Sequence, residues 1–277
     1  MKTFFTILIV VFIFVFFLPE LLSTQIGNKI LRNQIAKQTG IEIVSAKLSW
    51  TGPQIIKELT FNSGTKKITA AGLIFQNREF ILSELKIWIS GHHLNGDQIS
   101  LQIGKDAYIP FLSPFENAHL PDMTLKIGTL MWQNFGTIKE LLSLLQLKIR
   151  NDAEIPLLFQ DAPCSLTNGV LHFERTEFIA DNIYQFSFWK DIDLANKEYN
   201  LLLGIPAITI QKVLGIQNLP PNYTIPMRLT GPLGNPILHK STALKTIAKL
   251  LLFQQIPLAP IPAIKHSPQI RYPLPWD

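Results

Sequence analysis

The sequence predicts a mainly β protein: an N-terminal transmembrane helix, a long antiparallel sheet with one apolar face, a few short helices and a C-terminal capping helix. Three observations predict it. An uncharged run, Phe4–Leu18 (FFTILIVVFIFVFFL), opens the chain. From Ile41 onward apolar residues recur at every second position, the period of a strand that buries one side. Helical spacing is confined to four short stretches.

The apolar run continues past Pro19 and Glu20 to Leu22, about 19 residues, close to the ~20 that a spanning helix needs. It is at the upper limit for the core of a cleaved signal, and no small-x-small site follows it. Residues 1–22 are therefore expected to stay as an anchor. Leu21, Leu22, Ile26, Ile30, Leu31 and Ile35 keep helical spacing up to Gly40, a natural C-cap, which makes 23–40 a linking helix. Lys2 stands against Lys29, Arg32 and Lys37 beyond the run, so charge orients the anchor weakly. The order anchor-then-body places the N-terminus in the cytoplasm and the body, 41–253, across the membrane.

Along the body, Ala46, Leu48 and Trp50 alternate with Ser45, Lys47 and Ser49. The sets Leu59/Phe61, Leu73/Phe75, Leu85/Ile87/Ile89, Leu101/Ile103, Leu125/Ile127, Leu171/Phe173, Tyr184/Phe186/Phe188 and Tyr199/Leu201/Leu203 follow. With turns expected at Asn95-Gly96 and Asn168-Gly169, this describes an antiparallel meander of roughly a dozen strands. The helices are expected at Thr137–Leu147, Pro206–Leu214 and Ser241–Phe253. The last carries Leu244, Ile247, Ala248 and Leu251 on one stripe, with Lys245 and Lys249 apart, and should cap the sheet. The tail 254–277 holds prolines at 257, 260, 262, 268, 273 and 275. It is neither helix nor central strand. It packs along the sheet through Ile261, Ile264, Ile270 and Trp276, or offers a contact to other envelope proteins.

After Leu22, 43 of 255 residues are charged, about 17% against about 25% for typical domains. A body so poor in charge meets a membrane or a partner, or has more apolar face than its core needs. The net charge of +5 is spread along the chain without basic clusters among aromatics, which sets nucleic acid aside. Cys164 is the single cysteine and reads as a small packed thiol. No nucleophile elbow, phosphate loop, H-E-x-x-H or paired C-x-x-C is present, so neither an enzyme nor a cofactor is expected. His92-His93 point to opposite faces of a strand and share no metal. Asp191 and Asp193, with Lys190 and Lys197 nearby, read as a solvated loop, and Gly231–Pro236 as a tight turn.

Three segments resemble the AsmA-like family in order along the chain. Thr39-Gly40-Ile41-Glu42-Ile43 leading into Leu48-Ser49-Trp50 resembles the family's start. Leu166–Phe173 followed by Asp191-Ile192-Asp193-Leu194 is similar to its "f-x-x-G-x-i-d-l" strand pairs. Ile225–Pro236 and the helix after it are similar to its "v-x-G-x-l-x-x-P" strand and closing helix. The resemblance implies a single-pass protein of a bacterial inner membrane. Its periplasmic sheet would curl into a trough with an apolar interior, tied to phospholipid transport or outer-membrane biogenesis. A dozen strands span roughly 60 Å, less than a bridge between membranes needs. That implies a reduced member, a segment of an assembly, or a regulator.

An apolar sheet face must be covered by a second layer or filled by something apolar. Phospholipid acyl chains would gain ~0.8 kcal/mol per buried methylene. Leu101, Ile103, Leu125, Ile127, Leu171, Phe173, Phe186, Phe188, Tyr199 and Leu201 are the expected lining. The alternative is a closed sandwich with a dry core, a scaffold or assembly factor without lipid.

Overall fold

In the computed structural model, which describes residues 18–64, 66–89, 92–106, 119–133, 154–216, 219–232 and 236–253, helix α1 runs Gln25–Thr39. Thr24 caps it by accepting the Gly27 N–H, and Gly40 closes it at φ 71°, donating its N–H to Ala36 O. Glycine takes that left-handed conformation with the least strain. Residues 18–23 are helical too. The rest of the expected anchor, the helix expected at Thr137–Leu147 and the tail 254–277 lie outside the described residues. Among the described residues no helix is long and apolar enough to cross a membrane.

The protein is mainly β. Its strands are β1 (Ile41–Lys47), β2 (Gln54–Ser63), β3 (Lys66–Gln76), β4 (Glu79–Ile89), β5 (His92–Ile103), β6 (His119–Lys126) and β7 (Thr129–Gln133). Then come β8 (Glu154–Phe159), β9 (Ala162–Thr167), β10 (Val170–Ala180), β11 (Tyr184–Asp193) and β12 (Glu198–Pro206). Helix α2 (Ala207–Leu214), strands β13 (Thr224–Pro232) and β14 (Ile237–His239) and helix α3 (Ser241–Phe253) complete the order. All the strands belong to one antiparallel sheet.

Both β6 and β7 pair with β5 in one register, Lys126 opposite Ser100 and Leu130 opposite Gly96. They form one long strand interrupted at Ile127-Gly128. β8 and β9 are likewise the two halves of one strand, facing β7 and β6 respectively and both facing β10. The sheet is thus a simple meander in which nearly every strand neighbours its sequence neighbour, which keeps loop-closure costs low.

The alternation of faces reverses along one line across the strands. Glu58 in β2 and Glu84 in β4 hold φ near 50°, and Gly128 holds 65°. A bulge between Phe173 and Thr176 carries the irregularity into β10. Such bulges re-aim side chains and bend the strand. On one side of the line Ile41, Phe61, Ile68, Ile87, Leu94, Trp132 and Ile155 stand opposite one another in a single row over seven strands. On the other side Phe75, Phe80, Leu101, Leu125 and Ala162 do the same.

Four expectations are corrected. Asn95-Gly96 is not a turn but lies within β5, where Gly96 is buried. A Cβ there would stand 2.6 Å from Leu130 Cδ2, so the glycine serves close packing. Asn168-Gly169 does turn, with φ of 52° and 77°. The first strand ends at Lys47, because Ser49 N–H donates to Gln54 Oε1 and Gly52 N–H to Ser49 Oγ. Trp50 is consequently 59% exposed. Asp191 and Asp193 close β11 instead of lying in a loop: His172 donates to Asp191 Oδ1 at 2.6 Å, and Asp193 accepts from Asn196. That hydrogen bonding holds the Asp193 carboxyl below its usual range. Finally, α3 buries Ala243, Ile247 and Leu250, while Leu244 and Leu251 are exposed.

Candidate functional site

The apolar face divides into two parts. Over β8–β13 it is a packed core. Ile155, Leu157, Phe186, Ile205, Ile210, Ile225 and Met227 are all but inaccessible. Five rings interlock there: Phe178 stacks on Phe159 at 5.1 Å and on Phe186 at 5.5 Å, and Phe173 meets Phe188 edge-on at 5.5 Å. Such pairs add to the burial energy. Helix α2 packs against β11 and β12, with Thr209 Oγ1 donating to Gln185 O at 2.6 Å. Helix α3 lies against β13.

Over β2–β5 the same face changes character. Phe61, Leu73, Phe75, Phe80, Leu82 and Leu94 are half-buried, and the described helices pack elsewhere, against β1, β11, β12 and β13. Phe75 and Phe80 stack at 4.4 Å, a paired aromatic surface next to Leu101.

All ten residues expected as a lining stand in one hydrophobic cluster. Ile103, Phe173, Phe186, Phe188 and Leu201 are buried, whereas Leu101, Leu125, Ile127, Leu171 and Tyr199 are only partly so. Burial raises the pKa of the Tyr199 hydroxyl. The half-buried residues of β2–β4, and Leu94 and Ile99 of β5, are not among the ten. Their period-two pattern was visible in the sequence, but polar doublets such as Lys57-Glu58 and Ser83-Glu84, which mark the reversal, were the signal for joining them to the same face.

The opposite face is more polar, though Ile55, Ile74 and Ile81 stand in a row on it. Trp88 stacks on His93 at 4.7 Å, Lys67 Nζ lies 5.5 Å over Trp88, and His93 Nδ1 is 3.1 Å from Gln133 Oε1. Arg175 sits 5.8 Å from the Trp189 ring and donates to Thr224 Oγ1 at 2.7 Å, its pKa lowered by desolvation. Ser165, His172 and Asp191 are opposite one another on β9, β10 and β11. Among the described residues only His172 and Asp191 are linked, and a serine relay needs the link to serine as well. A cavity of about 570 Å³ beside the end of β5 and the middle of β6 and β9 is lined by residues that include Arg78, Lys105, Asp122, Ser165, His172 and Glu174. Among the described residues no group of three or more His, Cys, Asp or Glu is placed to hold a metal.

Cys164 is 6% exposed, opposite Met123 and Phe173. Burial pushes its thiol up to about 11, against the opposing backbone hydrogen bond at Leu125. The folded protein should therefore resist thiol reagents at pH 8 and react with one equivalent once denatured. Because the folded value exceeds the unfolded 9.0, this group's share of stability is intact below about pH 9 and is lost as pH rises towards 11. Labelling and melting from pH 7 to 11 check both statements.

No family model matches the chain, no curated protein matches it, and neither does any solved structure.

Proposed function

We propose that this is a membrane-anchored, non-enzymatic protein whose apolar sheet face binds phospholipid acyl chains in the periplasm, in lipid transport or outer-membrane biogenesis of the AsmA-like kind. One observation carries the reading. The apolar face runs on from the packed core into β5 and β4 and, through Phe75 opposite Phe80 and Leu73 opposite Leu82, into β3, where large side chains remain half-buried. Apolar surface of that extent on a chain so poor in charge calls for an apolar occupant. The low charge and the Phe-rich N-terminal run agree with a protein working at a membrane. The closed-core scaffold draws its support from β8–β13, where Phe186 and Ile205 are fully buried.

The test is photolabelling of the full-length protein in phospholipid nanodiscs with a phospholipid that carries a diazirine in its acyl chain. Residue-level assignment of the label should find Phe75, Phe80 and Leu101 modified and Glu177, which lies on the other face, unmodified. Equal labelling of both faces, or none beyond the N-terminal run, favours the scaffold.

A further inference from the structure

We propose that α1 lies on the surface of an anionic lipid bilayer, as an interfacial helix held at a fixed angle by a joint with the edge of the sheet. The proposal rests on the reading of the N-terminal run as a membrane anchor and goes beyond it.

The joint is built from four hydrogen bonds. Leu48 N–H donates to Ser23 Oγ at 2.9 Å, and Ser23 Oγ donates to Pro19 O at 2.7 Å. Asn28 accepts the Ala46 N–H at 2.5 Å and donates to Leu22 O at 3.2 Å. The edge strand β1 and the residue just after it thus give the N–H groups of Ala46 and Leu48 to side chains. Gly27 is buried where a Cβ would stand 2.1 Å from Leu21 O and 2.6 Å from Leu22 Cα. The helical residues 18–23 and α1 therefore meet too closely for any side chain between them. With three elements clasped together, the direction of α1 relative to the end of the apolar run is set.

The outward side of α1 is the wrong surface for water. Ile26 and Ile30, one turn apart, are 77% and 62% exposed. Lys37 follows on the same side at i+11 from Ile26, and Lys29 flanks it. All three cations of the helix, Lys29, Arg32 and Lys37, are exposed, and the helix carries no acid. Isoleucines between lysines, within a dozen residues of the apolar run that ends at Leu18, suit acyl chains below and anionic headgroups above.

The experiment uses the full-length chain with Cys164→Ala, in nanodiscs of phosphatidylcholine with phosphatidylglycerol. An environment-sensitive fluorophore is placed singly at Phe14→Cys, Ile26→Cys, Ile30→Cys or Leu158→Cys, and quenched by spin-labelled lipid. Labels at 14, 26 and 30 are expected to be quenched at least threefold more than the label at 158. Adding Lys29→Glu and Lys37→Glu should lower quenching at 30 at least twofold. Quenching at 14 with none at 26 and 30 leaves the anchor standing and overturns the surface helix. No quenching at 14 removes the anchor and the inference with it. Quenching at 30 that ignores the charge reversal overturns the anionic surface.

Discussion

Phe186→Asp is expected to unfold the C-terminal half of the sheet. Phe186 is fully buried, stacked on Phe178 at 5.5 Å. Emptying such a ring site costs about 3–5 kcal/mol, and a carboxylate left there without a partner adds several more or must take up a proton. Together these approach the whole ~5–15 kcal/mol of a typical domain. Circular dichroism and melting should show loss of the cooperative transition, whereas Phe186→Leu should lose only part of the ring's contribution and keep it. A Phe186→Asp protein melting within a few degrees of the parent would mean that this part of the face tolerates water, and that the packed core has been misassigned.

The double change Phe80→Asp with Leu101→Asp should behave differently. The two side chains stand directly opposite on β4 and β5 and are half-buried, so both carboxylates can reach water and the fold should survive. Acyl chains bound against them would meet charge in an apolar contact, a cost of several kcal/mol, and each 1.4 kcal/mol is tenfold in affinity. Phospholipid co-purifying with the full-length protein, counted by mass spectrometry, is expected to fall at least tenfold beyond what the anchor alone retains. Unchanged lipid in a folded double variant would sink the lipid-binding reading. The contrast between the two positions follows from exposure alone, since all three residues sit on the same apolar face.

Much of this was legible in the chain. The alternation at Leu101/Ile103, Leu171/Phe173 and Tyr199/Leu201/Leu203 identified strands because a pleated backbone sends successive side chains to opposite sides. Gly40 marked the end of α1, and Ser241–Phe253 came out with the bounds observed. Asn168-Gly169 turned because both residues accept positive φ. Asn95-Gly96 carries the same local signal yet runs straight, since the space beside Gly96 is taken by Leu130 from a strand more than thirty residues on. The exposed side of α3 differs from the expected one for a related reason. Leu244 and Leu250 are equally apolar in sequence, and only the position of β13 decides which is covered.

The sequence by itself determined the β class, the strand periodicity, the helix ends, the apolar N-terminal run and part of the apolar face. Those are properties of a backbone period and of side-chain chemistry, both local. The tertiary structure alone decided where alternation reverses, at Glu58 and Glu84, and so brought Phe61 and Phe80 onto the face that holds Phe186. It also decided which stretch of that face is sealed and which is left half-open, because cover comes from α2, α3 and neighbouring strands placed by long-range pairing.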